Sequence, residues 1–64
     1  MQVRSYRHKL DISQEELAAR AGLDRTYVGG VERGERNVSI LNLLKIAEGL
    51  QITLDELVRG IEKA

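Results

Sequence analysis

Apolar positions recur every three to four residues along nearly the whole chain, and no alternating run of β-branched residues is long enough for a strand. The pattern therefore predicts an all-α fold of five helices. The first spans about Val3 to Lys9 or Leu10, with Asp11 taking the left-handed turn that stops it. Ser13 opens the second, and Glu16, three residues on, completes a capping box. Leu17, Ala18 and Ala21 share one face of that helix, Ile12 is placed as a staple against Leu17, and Gly22 ends it. Asp24 caps a third helix running to about Arg33, with Val28 and Val31 inward and Gly34 as the stop. After a loop from Glu35 to Val38, Ser39 caps a fourth. Its broad stripe of Ile40, Leu43, Leu44, Ile46, Ala47 and Leu50 makes it the central core helix. Thr53 and Glu56 form another capping box, and Leu54, Leu57, Val58 and Ile61 keep helical spacing along a last helix that Gly60 weakens.

The second and third helices carry more than packing requires. Two short helices meeting at a wide angle need a small residue at the crossing, a left-handed residue in the turn and apolar anchors on both sides. Ala18, Gly22, Leu23, Val28 and Val31 supply all of these. Residues Gln14 to Arg33 thus have the spacing of a helix-turn-helix, whose second helix offers its first outward side chains, Arg25 and Thr26, to a DNA major groove.

Length and composition narrow the choices. The 64 residues are enough for one small domain, 1–64. A domain of this size buries only about 60% of its unfolded surface, so it gains from self-association. With no cysteine and a lone His8, neither a disulfide nor a thiolate metal site is available, and no metal or cofactor is expected. The apolar runs are too broken for a membrane span and no leader pattern is present, so the expectation is a cytoplasmic protein with no membrane partner and no evident small-molecule ligand. A nucleophile with a base at sensible spacing, a phosphate loop and a carboxylate pair are all missing, which argues against an enzyme. Ten basic and ten acidic residues cancel. Their distribution is uneven: residues 1–36 hold Arg4, Arg7, Lys9, Arg20, Arg25, Arg33 and Arg36 against six acids, and residues 37–64 hold three bases against four acids. The first half is the DNA side, and its small excess implies modest, salt-sensitive non-specific affinity.

The segments Ser13-Gln14-Glu15-Glu16-Leu17-Ala18, Ala21-Gly22-Leu23, Val31-Glu32-Arg33-Gly34-Glu35-Arg36, Leu44-Lys45-Ile46-Ala47 and Leu54-Asp55-Glu56-Leu57 resemble those of the Cro/C1-type (XRE-like) helix-turn-helix regulators. Asp24-Arg25-Thr26-Tyr27 and Glu32-Arg33-Gly34-Glu35-Arg36-Asn37 are similar to the small controller proteins of restriction-modification systems, which act as dimers. The resemblance implies a repressor-like domain and places Arg25 and Thr26 at the start of the recognition helix. It also puts Gly30 where relatives read a base, Gln14 as a bridge between phosphate and recognition helix, and Arg36 in DNA contact. Relatives often carry glycine at the place of Asp11 and proline at that of Val38, so both turns are less rigid by expectation.

For each of these residues a plainer reading stands beside the functional one. Arg25 either forks onto a guanine or pairs with Asp24 or Glu15. Thr26 either touches a base or is solvated. Gly29 and Gly30 either let the helix sit deep in the groove or are tolerated surface positions. Gln14 and Glu15 offer helix N-terminal amides to a phosphate. Tyr27 either sends its hydroxyl to a phosphate or is half-buried packing; Arg36 and Asn37 either reach DNA or solvate a loop; Arg33 either meets phosphate or pairs with Glu32 or Glu35. Ile52, Leu54, Leu57, Val58 and Ile61 are candidates for a dimer interface, shared with the core. The reading is a sequence-specific regulator binding double-stranded DNA as a homodimer. The rival is a helical interaction module, antitoxin-like or adaptor, without DNA readout.

Overall fold

The protein is described by a computed structural model covering residues 2–59. Its five helices are α1 (Val3–Lys9), α2 (Gln14–Ala21), α3 (Arg25–Glu32), α4 (Ile40–Gly49) and α5 (Leu54–Val58), with no strand among the described residues. The expected run of α5 past Gly60 to Ile61 lies outside the described residues.

Each helix starts and stops for a local reason. Ser13 accepts the Glu16 amide, Asp24 the Thr26 amide, Ser39 the Asn42 amide and Thr53 the Glu56 amide, so four first turns are capped by side-chain oxygens. The Thr53–Glu56 box is complete. The expected box at Ser13 is half formed, because the Glu16 carboxylate turns away to Arg20, a cation one turn on, at 3.0 Å. Four helices end on a left-handed residue: Asp11 (φ 55°), Gly22 (70°), Gly34 (74°) and Gln51 (61°). The amide after each bonds back five residues, from Ile12 to Arg7, Leu23 to Ala18, Glu35 to Gly30 and Ile52 to Ala47. Ile12, Leu23 and Ile52 pack onto the core, whereas Glu35 is exposed.

The core lies where α4 and α3 both lean on α2. Leu17, Val28, Ile46, Leu50 and Leu57 are its fully enclosed side chains. Gly49 lets α4 come close: a Cβ there would stand 3.1 Å from Leu17 Cδ1 and 3.4 Å from the Ala21 backbone nitrogen. The α4 stripe is narrower than its sequence suggests. Leu43, Ile46, Ala47 and Leu50 are buried, but Ile40 is 66% and Leu44 47% exposed, joined by Leu41 at 61%. Ile40 opens the first turn of α4, and Leu44 follows one turn later at i+4 on the same exposed side. Leu57 is corrected in the opposite sense. It is wholly enclosed, so it has no surface to offer a second chain, and Ile52, Leu54 and Val58 are half-buried against the same core.

Candidate nucleic-acid interface

Arg25 and Thr26 open α3 and are both exposed. The Asp24 carboxylate accepts the Thr26 amide at 3.0 Å, and among the described residues Arg25 forms no ion pair with Asp24 or Glu15. Arg25 instead borders a shallow depression shared with Arg7, Ser13, Gln14 and Glu15, between the starts of α2 and α3. The first-turn amides of α2, those of Gln14 and Glu15, have no carbonyl one turn back to bond, and the positive end of the helix dipole lies with them. An anion fits that combination.

A polar junction beneath the depression sets the tilt of α3. Arg7 donates from Nε to Glu32 Oε2 at 2.8 Å, from Nη2 to Glu32 Oε1 at 3.1 Å and from Nη1 to the Ile12 carbonyl at 3.0 Å. Gln14 Nε2 donates to Glu32 Oε1 at 3.0 Å, and Arg4 approaches the same oxygen at 3.5 Å. One carboxylate at the end of α3 thereby gathers α1 and the start of α2. The Glu32 side chain has no exposed surface and Arg7 only 11%. Burial alone would push the Glu32 carboxyl up, but hydrogen bonds from Arg7 and Gln14, the Arg7 charge and a bond from Arg4 outweigh it and hold it below its ordinary value. No described buried side-chain polar atom is left unpaired.

This junction escaped the sequence reading, which set Glu32 beside Arg33. Arg33 pairs with Glu35 at 3.1 Å, an exposed contact that a phosphate can replace at little cost. A signal was available: Arg7 falls between Val3 and Leu10 on the apolar stripe of α1, where a charge needs a buried partner.

The two glycines of α3 depart from the reading of them as surface positions. Gly29 and Gly30 are buried, not exposed, so Gly30 itself presents nothing to a base. Long polar side chains lie over them. A Cβ on Gly29 would be 3.1 Å from Arg33 Nη1 and 3.4 Å from Gln14 Oε1, and one on Gly30 would be 2.6 Å from Arg36 Cγ. Gln14, Arg33 and Arg36 thus rest on a glycine floor. Arg36 and Asn37 are exposed, and Arg36 forms no ion pair among the described residues. Tyr27 combines both of its readings: the ring is half-buried against the core, and the hydroxyl accepts from Asn42 Nδ2 at 3.1 Å, leaving its own proton to donate. His8 is exposed beside Gln2, Arg4 and Ser5, and no group of three or more His, Cys, Asp or Glu residues among those described is arranged for a metal. No described helix is long and apolar enough to cross a membrane.

A capped α3, held at fixed tilt on α2 with an arginine at its open end, defines an XRE-type helix-turn-helix DNA-binding regulator. The helix-turn-helix family profile matches residues 3–57, and the chain belongs to that family. It is similar to control protein C.MunI of a Mycoplasma species, 56% identical over 57 residues, 89% of this chain and 77% of the relative. Control protein C.SmaI of Serratia marcescens is 48% identical over 56 residues, 88% of this chain and 67% of its own. Among solved structures, the restriction-modification controller protein C.AhdI from Aeromonas hydrophila superposes with a TM-score of 0.85 at 56% identity, over 86% of this chain and 83% of that one.

Proposed function

We propose that the chain is a cytoplasmic transcriptional regulator that binds double-stranded DNA sequence-specifically, as a homodimer on a pseudo-palindromic operator. The observation that carries this is Arg25, exposed and without an ion pair among the described residues, at the start of a helix tied down by the Arg7–Glu32–Gln14 junction. Arg25 forks onto a guanine, with Thr26 beside it and Arg36 at the far end of α3 reading the neighbouring edge. The α2 amides of Gln14 and Glu15, the Gln14 side chain, the Tyr27 hydroxyl, Arg33 and Asn37 take flanking phosphates. Of the two readings, DNA binding is favoured over an interaction module because the exposed Arg25 shares a depression with the α2 N-terminus, where an anion fits.

One short helix reads too few base pairs for useful specificity, so two copies share the site, their half-sites roughly 34 Å apart. Among the described residues, the most exposed apolar surface available to a second copy is Ile40, Leu41 and Leu44 of α4, with half-buried Ile52, Leu54 and Val58 as further candidates.

Selection from random duplexes, followed by titration of the winning duplex at two salt concentrations, tests the reading. Arg25→Ala relaxes preference at one base pair per half-site, whereas Gln14→Ala weakens every duplex alike. Uniform losses for both variants would remove the assignment of roles.

A further inference from the structure

We infer that Gly30 is a positioning residue: its missing side chain is the seat on which the stem of Arg36 lies, so a loop arginine does the reading that a recognition-helix side chain would otherwise do at that turn. This rests on the proposed DNA contact of Arg36. Glycine is a poor helix residue, yet Gly30 is buried in the second turn of an eight-residue helix. What it makes room for is specific. A Cβ at this position would stand 2.6 Å from Arg36 Cγ, 3.2 Å from Nε and 3.5 Å from Cδ, the first closer than non-bonded carbons come.

The backbone brings the two together. Gly34 turns left-handed at φ 74°, its amide bonds to the Val31 carbonyl at 3.1 Å, and the Glu35 amide bonds to the carbonyl of Gly30 itself at 2.9 Å. That closure folds the chain back over residue 30. At the ends of α1, α2 and α4 the residue after the left-handed one is apolar and packs inward. At the end of α3 that residue is the exposed Glu35, and the next one lays its aliphatic stem on the helix instead. Because Cγ, Cδ and Nε all lie over the floor, the guanidinium has fewer places to go.

The test uses the full chain, the duplex won from the random pool by the wild type, and a set of single base-pair changes in it. Gly30→Ala, Arg36→Ala and the double variant are compared for discrimination and for melting temperature. Arg36→Ala is expected to lose about tenfold discrimination at one base pair of each half-site. Gly30→Ala loses the same discrimination at the same base pair while melting no lower than wild type, since alanine favours the helix and the displaced stem is flexible. The double variant loses no more than Arg36→Ala.

Wild-type discrimination in Gly30→Ala, with Arg36→Ala impaired, overturns the seat and leaves Arg36 a reader. A further loss on adding Gly30→Ala to Arg36→Ala also overturns it, because glycine then acts through the closeness of helix and groove. Unchanged discrimination in Arg36→Ala removes the underlying contact. If Gly30→Ala fails to fold, a folded double variant supports the conflict with Arg36, and an unfolded one overturns it.

Discussion

Helices α3 and α4 both lean on α2, but they are attached by different chemistry. The α4 seam is apolar: Leu43, Ile46, Ala47 and Leu50 share the core cluster with Leu17 and Ala18 of α2, and Gly49 lets the α4 backbone approach that of Ala21. The α3 seat is apolar at its base, through Val28 and Val31, and polar at its end, through Glu32, Arg7 and Gln14. Apolar packing is strong but tolerant of small rotations, whereas a bidentate guanidinium–carboxylate contact with a third donor is satisfied in one orientation. The α4 seam therefore anchors the fold, and the α3 seat sets the angle at which Arg25 is presented to solvent, and to DNA in the proposed function.

The largest effects should separate these two contributions. Ile46 is fully enclosed, so Ile46→Ala should cost about 4 kcal/mol by denaturant unfolding. Arg7→Ala strands a buried carboxylate and should cost about 3 kcal/mol. Measured where both variants are fully folded, Ile46→Ala should keep the wild-type ranking of duplexes, and Arg7→Ala should flatten it. Equal rankings in the two variants would mean that the polar junction does not set the angle of α3.

The exposed α4 face offers the next contrast, between surface that closes the monomer and surface that joins two copies. Leu41→Glu with Leu44→Glu puts charges on side chains 61% and 47% exposed, so the fold should survive. Sedimentation should show a monomer, and operator affinity should fall by about a hundredfold or more, roughly 2.7 kcal/mol, as cooperation between half-sites is lost. A dimer that persists in this variant would move the interface back to the half-buried residues of α5.

Acid should act on the α3 seat and spare the α4 seam. The folded state holds the Glu32 carboxyl below its ordinary value of 4.5, so its contribution is complete above that value and is lost as pH falls through the lower, folded one. Glu56, lowered chiefly by the hydrogen bond from the Thr53 amide, adds to the same slope from α5. Unfolding midpoints taken from pH 7 to pH 3 should fall more steeply for the wild type than for Glu32→Gln. Parallel curves would show that the junction does not sense the proton.

What was legible in the sequence follows the same division. Periodicity and caps gave all five helices, because Ser13, Asp24, Ser39 and Thr53 each act on a backbone amide two or three residues away. The left-handed Asp11 was readable as a turn residue; Gln51 was not, since nothing local in a glutamine favours φ of 61°. The places of Arg25 and Gln14 were readable because the caps before them mark helix starts. The junction was hidden because Arg7 and Glu32 are 25 residues apart and meet only when α1 folds onto α3. The two α3 glycines were misplaced for a related reason: what covers Gly30 is a side chain from a loop, and periodicity assigns no face to loops.

The smallest effect lies in two glycines that look alike in sequence. Gly49 and Gly30 are both buried in helices, and alanine at either would gain about 1 kcal/mol of helix propensity. They differ in what a methyl group would meet. At Gly49 it meets Leu17 Cδ1 at 3.1 Å, a methyl enclosed by the core, together with the Ala21 backbone nitrogen and Arg20 Cβ at 3.4 Å, which move only if the helix moves. Overpacking of that kind costs about 2 kcal/mol, so Gly49→Ala should be destabilised by about 1 kcal/mol after the propensity gain. At Gly30 the obstacle is the stem of an exposed arginine, which can swing into water, so Gly30→Ala should be as stable as wild type or slightly more so. Thermal unfolding of the two variants side by side decides it. A destabilised Gly30→Ala with a neutral Gly49→Ala would reverse the assignment of the rigid contact to α4 and the adjustable one to α3.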